Sequence, residues 1–218
     1  KRLILHSKSS FLTQPENNII YSETKISDAL GISRTPLRDA IHKLESEGFV
    51  DVIPSKGFKI HILTPEEILD AFEQRCAIEG YGIFRISKNR DGGREKVLIA
   101  DLKESIKNQE ICYYEKNDIN GVTKYDQFFH KKIIYYLENE TFNNFFEKHL
   151  YQIFKHCAST VSASNSEEEI LRSHKRVVDR LENGASYEAY EAIVEHLVYA
   201  KKINYEQAIN NRKSIFKL

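Results

Sequence analysis

Methionine is absent from the chain, position 1 included, so either residues precede Lys1 or methionine positions are missing from the chain as written. Cysteine is scarce: Cys76, Cys112 and Cys157 are far apart, odd in number and form no C-x-x-C pair. That pattern fits reduced thiols, packed as ordinary core residues, in a cytoplasm better than a secreted disulfide framework. Net charge is also lacking, with 32 Lys+Arg against 32 Asp+Glu, so bulk charge cannot argue for nucleic acid and only the placement of charges can. No apolar run approaches the roughly 18 residues of a membrane span, and KRLILHSKSS at the start is too short an apolar run for a signal peptide. Catalytic motifs are missing too. There is no G-x-x-x-x-G-K-S phosphate loop, no H-E-x-x-H, and no Ser or Cys nucleophile with a paired base.

What is present is a 218-residue chain with 41% hydrophobic residues, enough for a buried core and more comfortable as two small domains than as one. A boundary falls near ILTPEE, giving an N-terminal domain over residues 1–63 and a C-terminal one over 64–218. In the first, IYSETKISDALGIS offers Ser22 as an N-cap, Ile26, Ala29 and Leu30 at helical spacing, and Gly31 as a stop. Ser33 is placed to cap a second helix with Pro36 in its first turn, where Leu37, Ala40, Ile41 and Leu44 recur until Gly48. FVDVIPSKGFKIHIL then alternates apolar and polar residues around PSKG, the pattern of a two-stranded hairpin. Helix, turn, helix and hairpin is the order of a winged helix-turn-helix.

On a helical wheel Leu37, Ile41 and Leu44 face inward while Thr35, Arg38, Asp39 and His42 face out, with Arg34 at the edge of that exposed face. The N-terminal part of the second helix is the part that enters a major groove, and early arginines can fork onto guanine or phosphate. The sequence SETKISDALGISRTPLRDAIHKLESEGFVDVIPSKGF resembles the DNA-binding domain of the GntR family of bacterial transcription regulators, over essentially residues 3–63. That resemblance implies DNA contacts at Arg34, Thr35 and Arg38 in the recognition helix and at Lys56 and Gly57 in the wing. It also marks a departure: Thr24 stands where many relatives carry an arginine after the glutamate matching Glu23.

From Thr64 onward the pattern is helical to the end. TPEE supplies a capping box, Thr64 with Glu67, and breaks at 89–93, 117–121, 138–141, 159–169 and 182–186 delimit about six helices. The serine-rich piece from 159 reads as a loop or helix end, with a flexible lid as the alternative. Asp126 and His130 stand at i and i+4 on one face, and His174 and His196 lie in separate helices. An aspartate oxygen with imidazole nitrogens suits Zn, Ni or Mn, and a bundle can bring such residues to one point. Spacing alone leaves a surface salt bridge open.

Three segments, FEQRCAIEGYGI, YDQFFHKKIIYYLENE and SHKRVVDRLENGASYEAYEAIVEHL, resemble the all-helical FCD ligand-binding domain of the FadR subfamily of GntR regulators. The resemblance implies a divalent transition metal on Asp126, His130, His174 and His196, with His149 and His156 left to packing or surface. It implies a small organic acid effector, for which Arg75 is a candidate partner; a structural pair between Arg75 and Glu79 is the alternative. The expectation is therefore a mainly α protein, an N-terminal winged helix-turn-helix with a small β-hairpin wing followed by an all-α bundle. Its expected role is that of a cytoplasmic, homodimeric repressor on double-stranded operator DNA, with no membrane attachment. A metal-dependent hydrolytic enzyme and a helical protein-interaction module are the competing classes.

Overall fold

The structure is a computed structural model that describes residues 19–147, 166–184 and 186–215, with side chains to residue 210 in the last helix. Cys157, His149, His156 and the serine-rich residues 159–165 lie outside the described residues. The chain divides into two compact units, Lys1–Ile62 and Leu63–Leu218.

In the first unit α1 (Glu23–Leu30) is capped by the Ser22 side chain, which accepts from the Lys25 amide, and stops at Gly31 in the left-handed region. Helix α2 (Arg34–Ser46) follows after a three-residue turn. Ser33 holds its N-cap position with extended backbone, but its hydroxyl makes no cap hydrogen bond. Strands β1 (Val50–Ile53) and β2 (Gly57–Ile60) pair antiparallel in the register Val50 with Ile60 and Val52 with Phe58. Tyr21 joins this hairpin through two backbone hydrogen bonds to Phe58, of 2.7 and 3.1 Å. The small core comprises Leu37, Ile41, Val50 and Phe58, with Tyr21, Ile26 and Leu44 packed against it. Two inward residues of α2 thereby anchor a helix whose other faces stay in solvent.

The second unit is all helix among the described residues: α3 (Pro65–Lys88), α4 (Gly93–Glu110) running into a π turn at Ile111–Glu115, α5 (Ile119–Tyr136), α6 (Glu140–Phe145), α7 (Glu167–Asn183) and α8 (Ser186–Ile215). The starts of α4, α5 and α6 and the end of α7 fall at polar or glycine-bearing breaks in the sequence. The Thr64–Glu67 capping box forms in full, satisfying two amides at the start of α3. Three glutamates in the first turn of α7 complement its dipole.

Packing follows amphipathic stripes. Ile83, Ile86, Leu102, Phe129, Ile133, Val177, Leu181, Ile193 and Leu197, from five helices, are essentially inaccessible and form one core. At Gly82 α3 approaches α5 closely, since a Cβ there would stand 2.8 Å from the Ile133 side chain and 3.1 Å from its carbonyl oxygen. That closeness seats the side chains of α3 directly against α5.

Candidate functional site

The residues of interest sit where apolar side chains would otherwise complete the stripes. On α5, Asp126 and His130 bracket the fully buried Phe129; on α7, Ser173 and His174 interrupt Ile170, Leu171, Val177 and Val178; on α8, His196 follows Ile193. On α3, Arg75 and Glu79 fall between Phe72 and Ile83, and on α4 Gln109 succeeds Ile106. Burying polar groups at such positions costs free energy unless each is hydrogen-bonded, so their partners decide what the site is.

Three imidazoles converge. The Nε2 atom of His130 is 3.4 Å from that of His174 and 3.3 Å from that of His196, and all three rings are buried. Asp126, with its side chain 19% exposed, places Oδ1 3.5 Å from His174 Nε2 and 3.8 Å from His130 Nε2. The ring of Phe129 stacks on His174 at 4.2 Å between centroids and holds it in place.

The other nitrogen of each ring has its own partner. His130 Nδ1 lies 2.5 Å from Glu79 Oε2, His196 Nδ1 lies 2.7 Å from Ser173 Oγ, and His174 Nδ1 lies 3.1 Å from Gln109 Oε1. A carboxylate only accepts, so Nδ1 of His130 carries its proton. Neutral imidazoles protonated at Nδ1 have bare lone pairs at Nε2. Where the three rings are neutral and protonated at Nδ1, their Nε2 lone pairs, within 4.8 Å of one another, repel unless a cation, or shared protons, sits among them.

Charge favours the cation. Burial, followed by the charges of His130 and Arg75, holds the His174 pKa well below the ordinary histidine value; burial acts likewise on His196, with His174 and His130 behind it. Both are therefore neutral near pH 7. Burial raises the Asp126 pKa, with His130 and Arg75 opposing. Burial also pushes Glu79 upward, but the adjacent Arg75 and His130 outweigh it, and its carboxyl stays below the usual range. Arg75 Nε donates to Glu79 Oε1 at 2.7 Å, a buried ion pair. The Asp126 carboxyl and three imidazole nitrogens remain, a donor set of the kind that holds Zn, Ni or Mn. The residues present fit a divalent transition metal.

Arg75 makes the pairing with Glu79 that the i, i+4 spacing offers. In the first unit Arg34, Thr35, Arg38 and Lys56 are all exposed, the first three at the start of α2 and the last at the hairpin tip. Arg38 is engaged within the unit: its Nε donates to Glu23 Oε2 at 2.8 Å. Gly57, next to Lys56 in the wing, is buried, with φ of 128°, and a Cβ would stand 2.0 Å from the Tyr21 carbonyl oxygen. Its glycine is required by the join between Tyr21 and the hairpin. By sequence Glu79 reads only as a partner for Arg75, and Gln109 and Ser173 belong to none of the motifs. The signal for all three was available, since each is a polar residue on an otherwise apolar helical stripe.

No helix among the described residues is long and apolar enough to cross a membrane. The FCD domain matches residues 70–199, and the bacterial regulatory proteins of the gntR family match residues 17–60. A relative from Agrobacterium vitis, an HTH-type transcriptional regulator in the TAR-I ttuE-ttuC' intergenic region, is 30% identical over 115 residues, 52% of this chain and 65% of its own. The HTH-type transcriptional regulator YdhC of Bacillus subtilis is 22% identical over 176 residues, 80% of this chain and 76% of its own. The chain therefore spans about two thirds to three quarters of the length of these two relatives. Among solved structures, a GntR transcriptional regulator from Rhodococcus sp. RHA1 superposes with a TM-score of 0.77 at 18% identity, over 96% of both chains. The metal-free FCD domain of TM0439 superposes with a TM-score of 0.54 at 17% identity, over 68% of this chain and 98% of that one. These likenesses establish the fold. The relatives are named as transcriptional regulators and give the enzyme reading no support. With a gntR-type helix-turn-helix ahead of a helical domain that fills most of its length, the chain belongs to the FCD-domain family of GntR-type transcriptional regulators.

Proposed function

We propose that this chain is a ligand-responsive repressor of the FadR subfamily, with operator recognition over residues 1–63 and metal and effector sensing over residues 64–218. The observation that carries the reading is the convergence of three buried imidazoles, Nε2 to Nε2, beside Asp126. Asp126, His130, His174 and His196 hold a zinc, nickel or manganese ion. Bound there, the ion supplies a positive centre with exchangeable positions for the carboxylate or hydroxyl of a small organic acid. Arg75, buried and close enough to bias His174, His196 and Asp126 electrostatically, adds to the attraction for an acid.

In the first unit Arg34, Thr35 and Arg38 present donors at the groove-entering end of α2, and Lys56 and the backbone around Gly57 approach the duplex from the wing. Arg38 exchanges its Glu23 partner for a base or phosphate when it binds. As a homodimer the protein sets two recognition helices on half-sites of a near-palindromic operator, and effector binding shifts the population of operator-competent dimers. The coupling is reciprocal, so operator DNA changes effector affinity by the factor by which effector changes DNA affinity.

Footprinting of the region around the protein's own gene tests this, using chelator-stripped and zinc-loaded protein with and without a panel of hydroxy and keto acids. A protected near-palindrome, altered by metal together with an acid, is the expected result. No protected site under any of these conditions refutes a specific operator-binding repressor.

A further inference from the structure

We infer that Glu79, Gln109 and Ser173 are positioning residues that fix the tautomer of His130, His174 and His196 respectively, so that all three Nε2 lone pairs are presented together before any metal arrives. The inference rests on the reading of the histidine cluster as a metal site, and it concerns residues from α3, α4 and α7 outside that ligand set.

The assignment follows from what each partner can do. Glu79 uses Oε1 to accept from Arg75 Nε and Oε2 to accept from His130 Nδ1, so it has no proton to offer the ring. Ser173 has one hydroxyl proton, and its Oγ is 2.7 Å from the Ile170 carbonyl oxygen, which can only accept. With that proton committed to Ile170, the 2.7 Å contact between Oγ and His196 Nδ1 must be the ring donating to the hydroxyl. Gln109 could in principle face His174 with either end of its amide. With the oxygen on Nδ1, as the structure has it, the ring is protonated there and bare at Nε2; with the nitrogen there, the proton would move to Nε2 and close the ligand position. This orientation leaves Gln109 Nε2 buried without a hydrogen-bond partner among the described residues, a cost set against the bare Nε2 it gives His174.

All three partners are buried to within 1% of complete inaccessibility, so water does not compete for the rings. Free imidazole would otherwise divide between two tautomers, and three independent rings would all be bare at Nε2 in only a fraction of molecules. Pre-setting all three raises the fraction of molecules ready to bind.

The test uses the full-length protein and cobalt(II), whose visible absorption reports imidazole ligation, in competition with a chelator of known affinity. Wild type and Ser173→Thr, which keeps the hydroxyl, are expected to bind cobalt alike. Ser173→Ala, Gln109→Leu and Glu79→Gln are each expected to bind about 10- to 100-fold more weakly. Gln109→Glu keeps an acceptor on His174 Nδ1 and is expected to retain affinity within a few-fold of wild type. Glu79→Gln also strips Arg75 of its carboxylate, so should it fail to fold, the Ser173 and Gln109 pairs carry the comparison.

A second readout needs no metal. Long-range proton–nitrogen correlation on nitrogen-labelled metal-free protein is expected to show His130, His174 and His196 each protonated at Nδ1, with His174 changing in Gln109→Leu and His196 in Ser173→Ala. A packing role would alter stability without moving these tautomers. Wild type that binds no cobalt defeats the metal reading itself. Cobalt-binding wild type with Ser173→Ala and Gln109→Leu at undiminished affinity, or with Nε2-protonated rings, overturns the positioning inference alone.

Discussion

Metal should stabilise the helical unit by an amount set by mass action. The perturbation is addition of zinc, at controlled free concentration, to protein stripped by chelation. Binding to the folded state alone contributes RT ln(1 + [M]/Kd), about 2.7 kcal/mol at one hundred times the dissociation constant. A folded unit of the size of Leu63–Leu218 shifts its Tm by about 2–4 °C per kcal/mol, so the expected rise is about 5–11 °C. Relief of the crowding of Nε2 atoms held 3.3–3.4 Å from that of His130 is contained in this dissociation constant and adds nothing to the shift. Calorimetry across a series of zinc buffers reads the shift, and its slope against log[Zn] gives the number of sites. His130→Ala, which removes the nitrogen common to both close contacts, should abolish the slope. The reasoning is refuted if wild type shows no shift at micromolar free zinc, or if His130→Ala shows the same shift as wild type.

Three other outcomes follow from particular contacts. Arg38→Ala should weaken specific operator binding roughly 10- to 100-fold in mobility-shift titrations if Arg38 reads a base, and unchanged affinity with unchanged sequence preference would remove it from the reading set. Gly57→Ala should destabilise the winged unit by about 2 kcal/mol or more in denaturant titration, since its Cβ would overlap the Tyr21 carbonyl at a positive φ; a neutral result would contradict the join between Tyr21 and the hairpin. Metal-free protein should lose stability as pH falls below the ordinary histidine value of 6.5. The folded pKa values of His174 and His196 are depressed, so in that range the unfolded state binds the extra protons and is favoured; a Tm that stays flat from pH 7 to pH 5 would show that these rings are not buried neutral.

Much of the architecture was legible in the residues because local signals and tertiary packing agree. Ser22, Gly31, Thr64 with Glu67, and the breaks before Gly93 and after Asn183 each terminate or start a helix by satisfying or abandoning backbone groups, a matter of neighbouring residues only. Leu37 and Ile41 were marked as inward by periodicity and are buried. The convergence of His130, His174 and His196 was not legible from spacing, because 44 and 66 residues separate the ring contacts and no periodicity spans separate helices. Resemblance supplied what spacing could not. Gly57 shows the opposite case: its place in the turn was readable, but its reason, the Tyr21 carbonyl, lies 36 residues away in sequence. Arg75 was readable as a pair with Glu79 at i+4; that Glu79 also holds His130 depends on the close approach of α3 to α5 at Gly82.

The most direct measurement is an anomalous difference map from crystals of the zinc-loaded protein, recorded on either side of the zinc absorption edge. The account predicts one strong peak per chain in the second unit, about 2.0–2.2 Å from Nε2 of His130, His174 and His196 and from a carboxyl oxygen of Asp126. A map with no peak at that point, or with zinc bound only to surface residues elsewhere, would contradict it.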